Sequence, residues 1–204
     1  MTHTIHALIF DFGNVLLEWN PRHVYRRFFA EDEEAMEKFL QEVSFMEWNA
    51  LQDKGRSFAE GVAELSRQFP HYSELIQAYP DNWRDSIGGS FTGTVDILRR
   101  LKKAGYSLYG LSNWSAETFP IAREKYDFFN LLDDIILSGE VGMIKPEPGI
   151  YELTLQRVGR PAHECLFIDD AAANIEQAKK MGFNTILFES AEQLEQELKR
   201  LKIL

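Results

Sequence analysis

Five short apolar runs without alternation, each followed by a stretch of helical periodicity, constrain this chain more than any other feature. They are Ile5–Phe10, Ser107–Leu111, Ile135–Leu137, Cys165–Ile168 and Thr185–Phe188. A run that is apolar at successive positions reads as a strand covered on both faces, and helices between such strands read as crossovers joining parallel neighbours. The fold class is therefore α/β, a doubly wound parallel five-stranded sheet. The intervening helices carry matching signals: Val95, Ile97, Leu98 and Leu101 precede Gly105, Ile150, Leu153, Leu155 and Val158 precede Gly159, and Ile175, Ala178 and Met181 precede Gly182. Each glycine stands where a helix ends on a left-handed residue. The last segment, 191–201, aligns Leu194, Leu198 and Leu201 and predicts a helix docked on the sheet edge.

The spacing of the runs is uneven. About 95 residues separate the first from the second, where a crossover needs roughly a dozen. Asn20-Pro21 starts a helix with asparagine as cap and proline at its first position. Helical patterns follow over 31–43, 57–69 and 73–87, and Gly88-Gly89 reads as a flexible exit. The chain of 204 residues corresponds to about one and a half typical domains. Residues 1–17 and 90–204 are thus read as the core, and 18–89 as an inserted all-helical cap.

Composition narrows the function. The chain has 22 Lys and Arg against 32 Asp and Glu, a net charge of -10, which repels nucleic-acid phosphates and anionic membranes. No apolar stretch approaches the roughly 18 residues of a membrane span. A single cysteine, Cys165, excludes an intrachain disulfide, and the N-terminus has no basic segment leading into a long apolar run. The reading is a cytoplasmic protein, monomer or homodimer, acting on a small molecule, with no nucleic acid and no membrane. Cys165 lies inside an apolar strand and reads as core. His3, His6, His23, His71 and His163 show no metal-ligand spacing.

In an open parallel sheet, ligands sit outside the carboxyl ends of the strands. The first run ends on Asp11, the second on Ser112 and Asn113, and the fourth on Asp169 and Asp170, while Lys145 lies in the loop after the third. Carboxylates brought together in this way cannot all remain ionised without compensation, and one lysine is insufficient. A hard cation such as Mg2+, which takes one or two carboxylates and leaves positions for water and phosphate, resolves the conflict. An aspartate in such a site is a nucleophile for phosphoryl transfer.

The stretches Phe10-Asp11-Phe12-Gly13-Asn14-Val15-Leu16, Leu111-Ser112-Asn113, Lys145-Pro146 and Phe167-Ile168-Asp169-Asp170, in that order, resemble the four motifs of the haloacid dehalogenase-like hydrolase superfamily. The helical insert after the first motif is similar to the superfamily's helical cap of the first type. The resemblance implies a Rossmann-like core and a Mg2+-dependent phosphatase acting on a small-molecule phosphate ester through an aspartyl-phosphate. It implies Asp11 as nucleophile, Lys145 as its neutralising partner, Asp11, the Gly13 carbonyl, Asp170 and Asp169 around the metal, and Ser112 and Asn113 on the phosphoryl oxygens. Trp19 and Asn20 at the hinge and Trp114 beside the phosphate loop are expected to border the substrate, whereas Trp48 and Trp83 are read as interior to the cap.

One position departs from the phosphatase pattern. Most phosphatases of the superfamily place a second aspartate, the general acid, two residues after the nucleophile, and this chain has Gly13. Such an acid contributes about 10²- to 10⁴-fold, so its absence points to substrates with better leaving groups, such as sugar 1-phosphates. The Asp-Phe-Gly-Asn-Val wording also resembles a branch that includes a bacterial glucose-1-phosphate phosphatase. The 2-haloacid dehalogenases lack the second aspartate too, but work without metal and carry Ser, Asn and Asp where this chain has Asp169, Ala171 and Asn174. A phosphate-ester binding protein without turnover is the third alternative. Asp169 and Asp170 could also cap the helix that follows, and Asn174 could orient the aspartate pair or satisfy a loop.

Overall fold

The computed structural model describes residues 4–204. His3 and the Met1-Thr2 start lie outside them. Five parallel strands form the sheet, β1 (Ala7–Phe10), β4 (Ser107–Ser112), β5 (Asp134–Leu137), β6 (Cys165–Asp169) and β7 (Asn184–Leu187), in the order β5-β4-β1-β6-β7. β1 is central, with Leu8 level with Leu108 on one side and Leu166 on the other. Its residues serve two cores in alternation. Leu8 and Phe10 face one apolar cluster and Ala7 and Ile9 face the other, which is why the run shows no period of two. The first face is covered by α6 (Thr92–Lys103) and α11 (Ala191–Arg200), the second by α9 (Pro148–Val158) and α10 (Ala172–Lys180). The short helices α7 (Phe119–Lys125) and α8 (Ser138–Val141) follow β4 and β5. The order reverses at β1, so the crevice beyond its carboxyl end is the natural ligand site.

Two readings at the ends of elements are corrected. α11 lies against α6 on a sheet face and not along the edge. Leu201 falls one residue beyond that helix and is 44% exposed, while Leu194 and Leu198 are buried. Gly88-Gly89 is not a flexible exit. It belongs to β3 (Ile87–Ser90), which pairs antiparallel with β2 (Leu17–Trp19), so a two-stranded ribbon joins the insert to the sheet. Two glycines in a four-residue strand leave no hydrophobic period to read.

Between the ribbon strands stand α1 (Arg22–Tyr25), α2 (Glu33–Glu42), α3 (Phe45–Asp53), α4 (Phe58–Gln68) and α5 (Ser73–Asp81). α4 opens on a capping box in which the Ser57 side chain accepts the Glu60 amide and Glu60 returns the bond. α3 escaped the sequence reading for a physical reason. Its buried face mixes Phe45 and Trp48 with Asn49 and Gln52, while Met46 and Leu51 are exposed, so no apolar stripe marks it. The helices share an aromatic interior around Tyr79, whose ring lies 4.8 Å from Phe45, 6.1 Å from Trp48 and 6.1 Å from Phe58. Such contacts contribute about 0.5–1.5 kcal/mol each beyond area burial. This interior is continuous with the first sheet core.

Candidate active site

Asp11 follows β1 directly and sits at the mouth of the crevice. The turn that presents it is anchored by Phe12, which is fully buried against Phe129 at 4.9 Å and Phe119 at 6.0 Å. Gly110 in the neighbouring strand makes room for that ring, since a Cβ there would stand 2.2 Å from Phe12 Cζ. Any side chain at 110 would therefore expel the anchor.

The charged centre is compact. Lys145 Nζ lies 2.9 Å from Asp11 Oδ1, donates to Asp169 Oδ2 at 2.6 Å and to the Leu111 carbonyl at 3.0 Å. Lys145 is 3% exposed and Asp169 0%. Burial works against the ammonium, but Asp11 and Asp169 outweigh it and raise its pKa. Burial also pushes Asp11 up to about 7; Lys145 pulls it down, and the charges of Asp169 and Asp170 add to the rise. Asp170 is raised by burial and by Asp169, against a hydrogen bond from Asn14.

Oxygens of Asp11, Asp169 and Asp170 lie within 4.8 Å of one another, and among the described residues this is the one such cluster of carboxylate, imidazole or thiol groups. A donor set made only of oxygen, with two of its carboxyls held above their usual range, fits a hard divalent cation. The three are not equivalent. Asp169 already accepts from Lys145, from the Ala171 amide at 2.8 Å and from the Asn174 carboxamide at 2.9 and 3.1 Å. It therefore anchors Lys145, and is itself held by the Ala171 amide and the Asn174 carboxamide at the start of α10.

A cavity of about 270 Å³ separates this centre from the helices of the insert. Asp11, Gly13, Ser112, Asn113, Lys145 and Asp170 line it from the sheet, with Trp19 and Trp114 at the sides. The Asn113 carboxamide is spent on the lysine loop, donating to the Lys145 carbonyl at 2.9 Å and accepting its amide at 2.8 Å. Contact of Asn113 with a ligand would have to run through its main chain. Asn20 does not line the cavity; its side chain accepts the Arg22 amide at 3.0 Å, as a helix cap. Trp83 is buried but also lines the cavity, its ring 5.6 Å from that of Trp114. Trp48 lies in the interior of the insert, where its indole donates to the Gly61 carbonyl at 3.0 Å. Cys165 is fully buried, and burial pushes its thiol up to about 11, as suits an inert core residue.

The opposite wall comes largely from residues to which the sequence reading gave no role. Met46, Asn49, Ala50 and Asp53 of α3 and Tyr79 of α5 line it, and Asn14 reaches the cavity from the first loop. The end of α3 is docked on the loops after β4 and β5. Ser138 Oγ donates to the Asp53 carbonyl and accepts the Trp114 amide at 2.8 Å. Gly139 lets these two loops approach each other, because a Cβ there would stand 2.5 Å from the Ala116 nitrogen. Lys54 pairs with Glu147 at 2.6 Å, and the Phe58 amide donates to Glu117 at 3.1 Å. The only sequence trace of this wall is an aspartate two residues before a glycine at a helix end.

Comparison with known proteins bears on this geometry. The family model described as a hydrolase, haloacid dehalogenase-like hydrolase, matches residues 5–182. Drimenol cyclase drtB of Aspergillus calidoustus is 24% identical over 95% of this chain, which spans only 36% of that protein's length. The sesquiterpene phosphatase astK of Aspergillus oryzae is 27% identical over 89% of both chains. The D-ribitol-5-phosphate phosphatase of Bacteroides thetaiotaomicron is 25% identical over 95% of this chain and 97% of its own. Among solved structures, a HAD family enzyme of Bacteroides thetaiotaomicron, an Asp-to-Ala mutant in complex with magnesium and inorganic phosphate, aligns at TM-score 0.71 with 23% identity, covering 91% of this chain and 95% of that one. The L-2-haloacid dehalogenase of Xanthobacter autotrophicus aligns at TM-score 0.64 with 19% identity, covering 98% and 85%. Both structural likenesses speak to the fold.

Proposed function

The chain belongs to the haloacid dehalogenase-like hydrolase family, and from that premise we propose that it is a Mg2+-dependent phosphatase of a small phosphorylated metabolite, working through an aspartyl-phosphate. The observation that carries this reading is the cluster of Asp11, Asp169 and Asp170 around one buried ammonium, Lys145. A metal-free site for a haloacid would face a carboxylate substrate with three carboxylates, and the repulsion disfavours it. Full-length relatives named as phosphatases support the same choice.

In this reading Asp11, the Gly13 carbonyl and Asp170 hold the cation, which when bound lowers the charge between nucleophile and phosphoryl group. Asp11 attacks phosphorus, Lys145 offsets the charge on the attacking carboxylate, and Ser112 and the Asn113 main chain receive the phosphoryl oxygens. The helices of 18–89 serve as a cap that excludes water from the cavity. With glycine at 13, a sugar 1-phosphate-like ester needs less help in leaving than an ordinary alkyl phosphate, unless another group supplies the proton. The test is phosphate release from a panel of phosphorylated metabolites and 4-nitrophenyl phosphate, with Mg2+ and with chelator. Mg2+-dependent release, abolished in Asp11→Asn, is expected; halide release from a 2-haloacid unaffected by chelator would establish the dehalogenase instead.

A further inference from the structure

Breaking a P–O bond to an alcohol leaves an alkoxide that needs a proton, and most ionisable groups lining the cavity cannot give one. Lys145 is held between two carboxylates that raise its pKa. Tyr79 accepts the Trp19 indole N–H at 3.3 Å, and burial drives its hydroxyl well above its usual range. Asp11 is the nucleophile, and Asp170 belongs to the cation cluster. Asp53 is the one that remains.

Its placement suits a proton donor. Asp53 ends α3, where the partial negative charge of the helix terminus disfavours a carboxylate. It stands on the cap wall, across the cavity from the Asp11 strand. Asn49 Nδ2 donates to its Oδ2 at 2.9 Å, the Ser115 main-chain amide donates to its carboxyl group, and Ser138 holds its carbonyl. The side chain is thus fixed from its own helix and from the loop that follows Ser112. Burial pushes its pKa up to about 8; the Ser115 bond opposes the rise and the Asp11 charge adds to it. Burial thus favours the protonated carboxyl, the form a proton donor needs.

We propose that Asp53 is the general acid of this site, replacing from the cap the side chain that Gly13 lacks. The inference rests on the phosphatase reading. As the Asp11 oxygen bonds to phosphorus, the P–O bond to the alcohol breaks, its electron pair stays on the ester oxygen, and the Asp53 proton moves to that oxygen. The alcohol departs and Asp53 is left as carboxylate. Water then attacks the aspartyl-phosphate, passing a proton to Asp53, so that phosphate leaves and both aspartates are restored. Alcohol leaving groups become accessible, and the reason for restricting the substrate to 1-phosphates falls away.

The experiment compares two esters of similar shape, 4-nitrophenyl phosphate and benzyl phosphate, with Mg2+, on wild type and Asp53→Asn. Asparagine keeps the size of the side chain and can still accept the Ser115 amide, but cannot donate an acidic proton. kcat/KM is the quantity to read, because it reports phosphoryl transfer and not the later hydrolysis. The expected result is a loss of about 10²- to 10⁴-fold on benzyl phosphate and of less than about tenfold on the nitrophenyl ester. Because both rates come from one preparation, partial unfolding cancels in their ratio. Equal losses on both esters, or no loss on benzyl phosphate, would overturn the assignment and leave Asp53 a latch between cap and core. A wild type that releases phosphate from neither ester would instead sink the phosphatase reading itself.

Discussion

Lys145→Met tests whether the cluster is held together by charge compensation. Methionine preserves most of the apolar stem but removes the ammonium that meets Asp11 at 2.9 Å and Asp169 at 2.6 Å. Breaking a buried pair by deleting one partner costs about 3–5 kcal/mol, because a charge is left uncompensated. For a chain of this size each kcal/mol lowers Tm by roughly 2–4 °C, so the variant should melt roughly 6–20 °C below wild type in chelator. Mg2+ at a hundredfold excess over its Kd adds about 2.7 kcal/mol to any form that binds it. The variant offers the cation a more negative site, so the deficit should narrow when Mg2+ is added. It should narrow again as pH falls below about 7, where the Asp11 carboxyl takes up a proton and needs no partner. Thermal melts in chelator, in Mg2+ and at two pH values measure all three effects. A variant that melts within 2 °C of wild type in chelator, or a deficit indifferent to Mg2+, would refute the reasoning.

Asp53 makes a prediction about stability as well as rate. Its folded pKa of about 8 lies above the ordinary 3.8, so its contribution is fully present below about pH 4 and is lost as pH rises through 8. Asn at 53 escapes that loss, and Asp53→Asn should gain on wild type in Tm between pH 5 and 9 when melted in chelator. Gly13→Asp in the Asp53→Asn background should recover part of the benzyl phosphate activity, measured as kcat/KM, because a Cβ at 13 meets nothing within 4 Å. Gly139→Ala should cost about 1–3 kcal/mol, read as a lower Tm, since the new methyl would press on main-chain atoms of Trp114 and Ala116. Lys54→Ala, which removes an exposed pair to Glu147 with both side chains 42% accessible, should change stability by no more than about 1 kcal/mol, and denaturant melts at low and high salt would show it.

The parts of the site legible in the sequence are those delivered by strands. Asp11, Ser112, Asp169 and Asp170 follow runs apolar enough to require burial on both faces, and a parallel sheet puts such ends on one edge. Lys145 was legible from its loop, but its double pairing was not. Asn113 was legible as a neighbour of the phosphate loop, but the sequence does not show that its carboxamide holds the Lys145 main chain and leaves only its amide for a ligand. Asn20 was expected beside the substrate, yet it caps a helix. In both cases a short polar side chain had two uses, and local hydrogen-bond geometry selected one.

Read alone, the order of residues specifies the doubly covered sheet, the order of its chemistry-bearing ends and the surplus of carboxylates over cations among them. Those follow from periodicity and from charges next to one another in the chain. Which face of α3 meets the crevice, and with it the place of Asn49 and Asp53, is set by packing between distant segments. That helix has no apolar stripe to declare its orientation. Its facing is fixed by Trp48 and Phe45 packing on Tyr79 and by the bond of Ser138 to the Asp53 carbonyl, contacts between segments far apart in sequence.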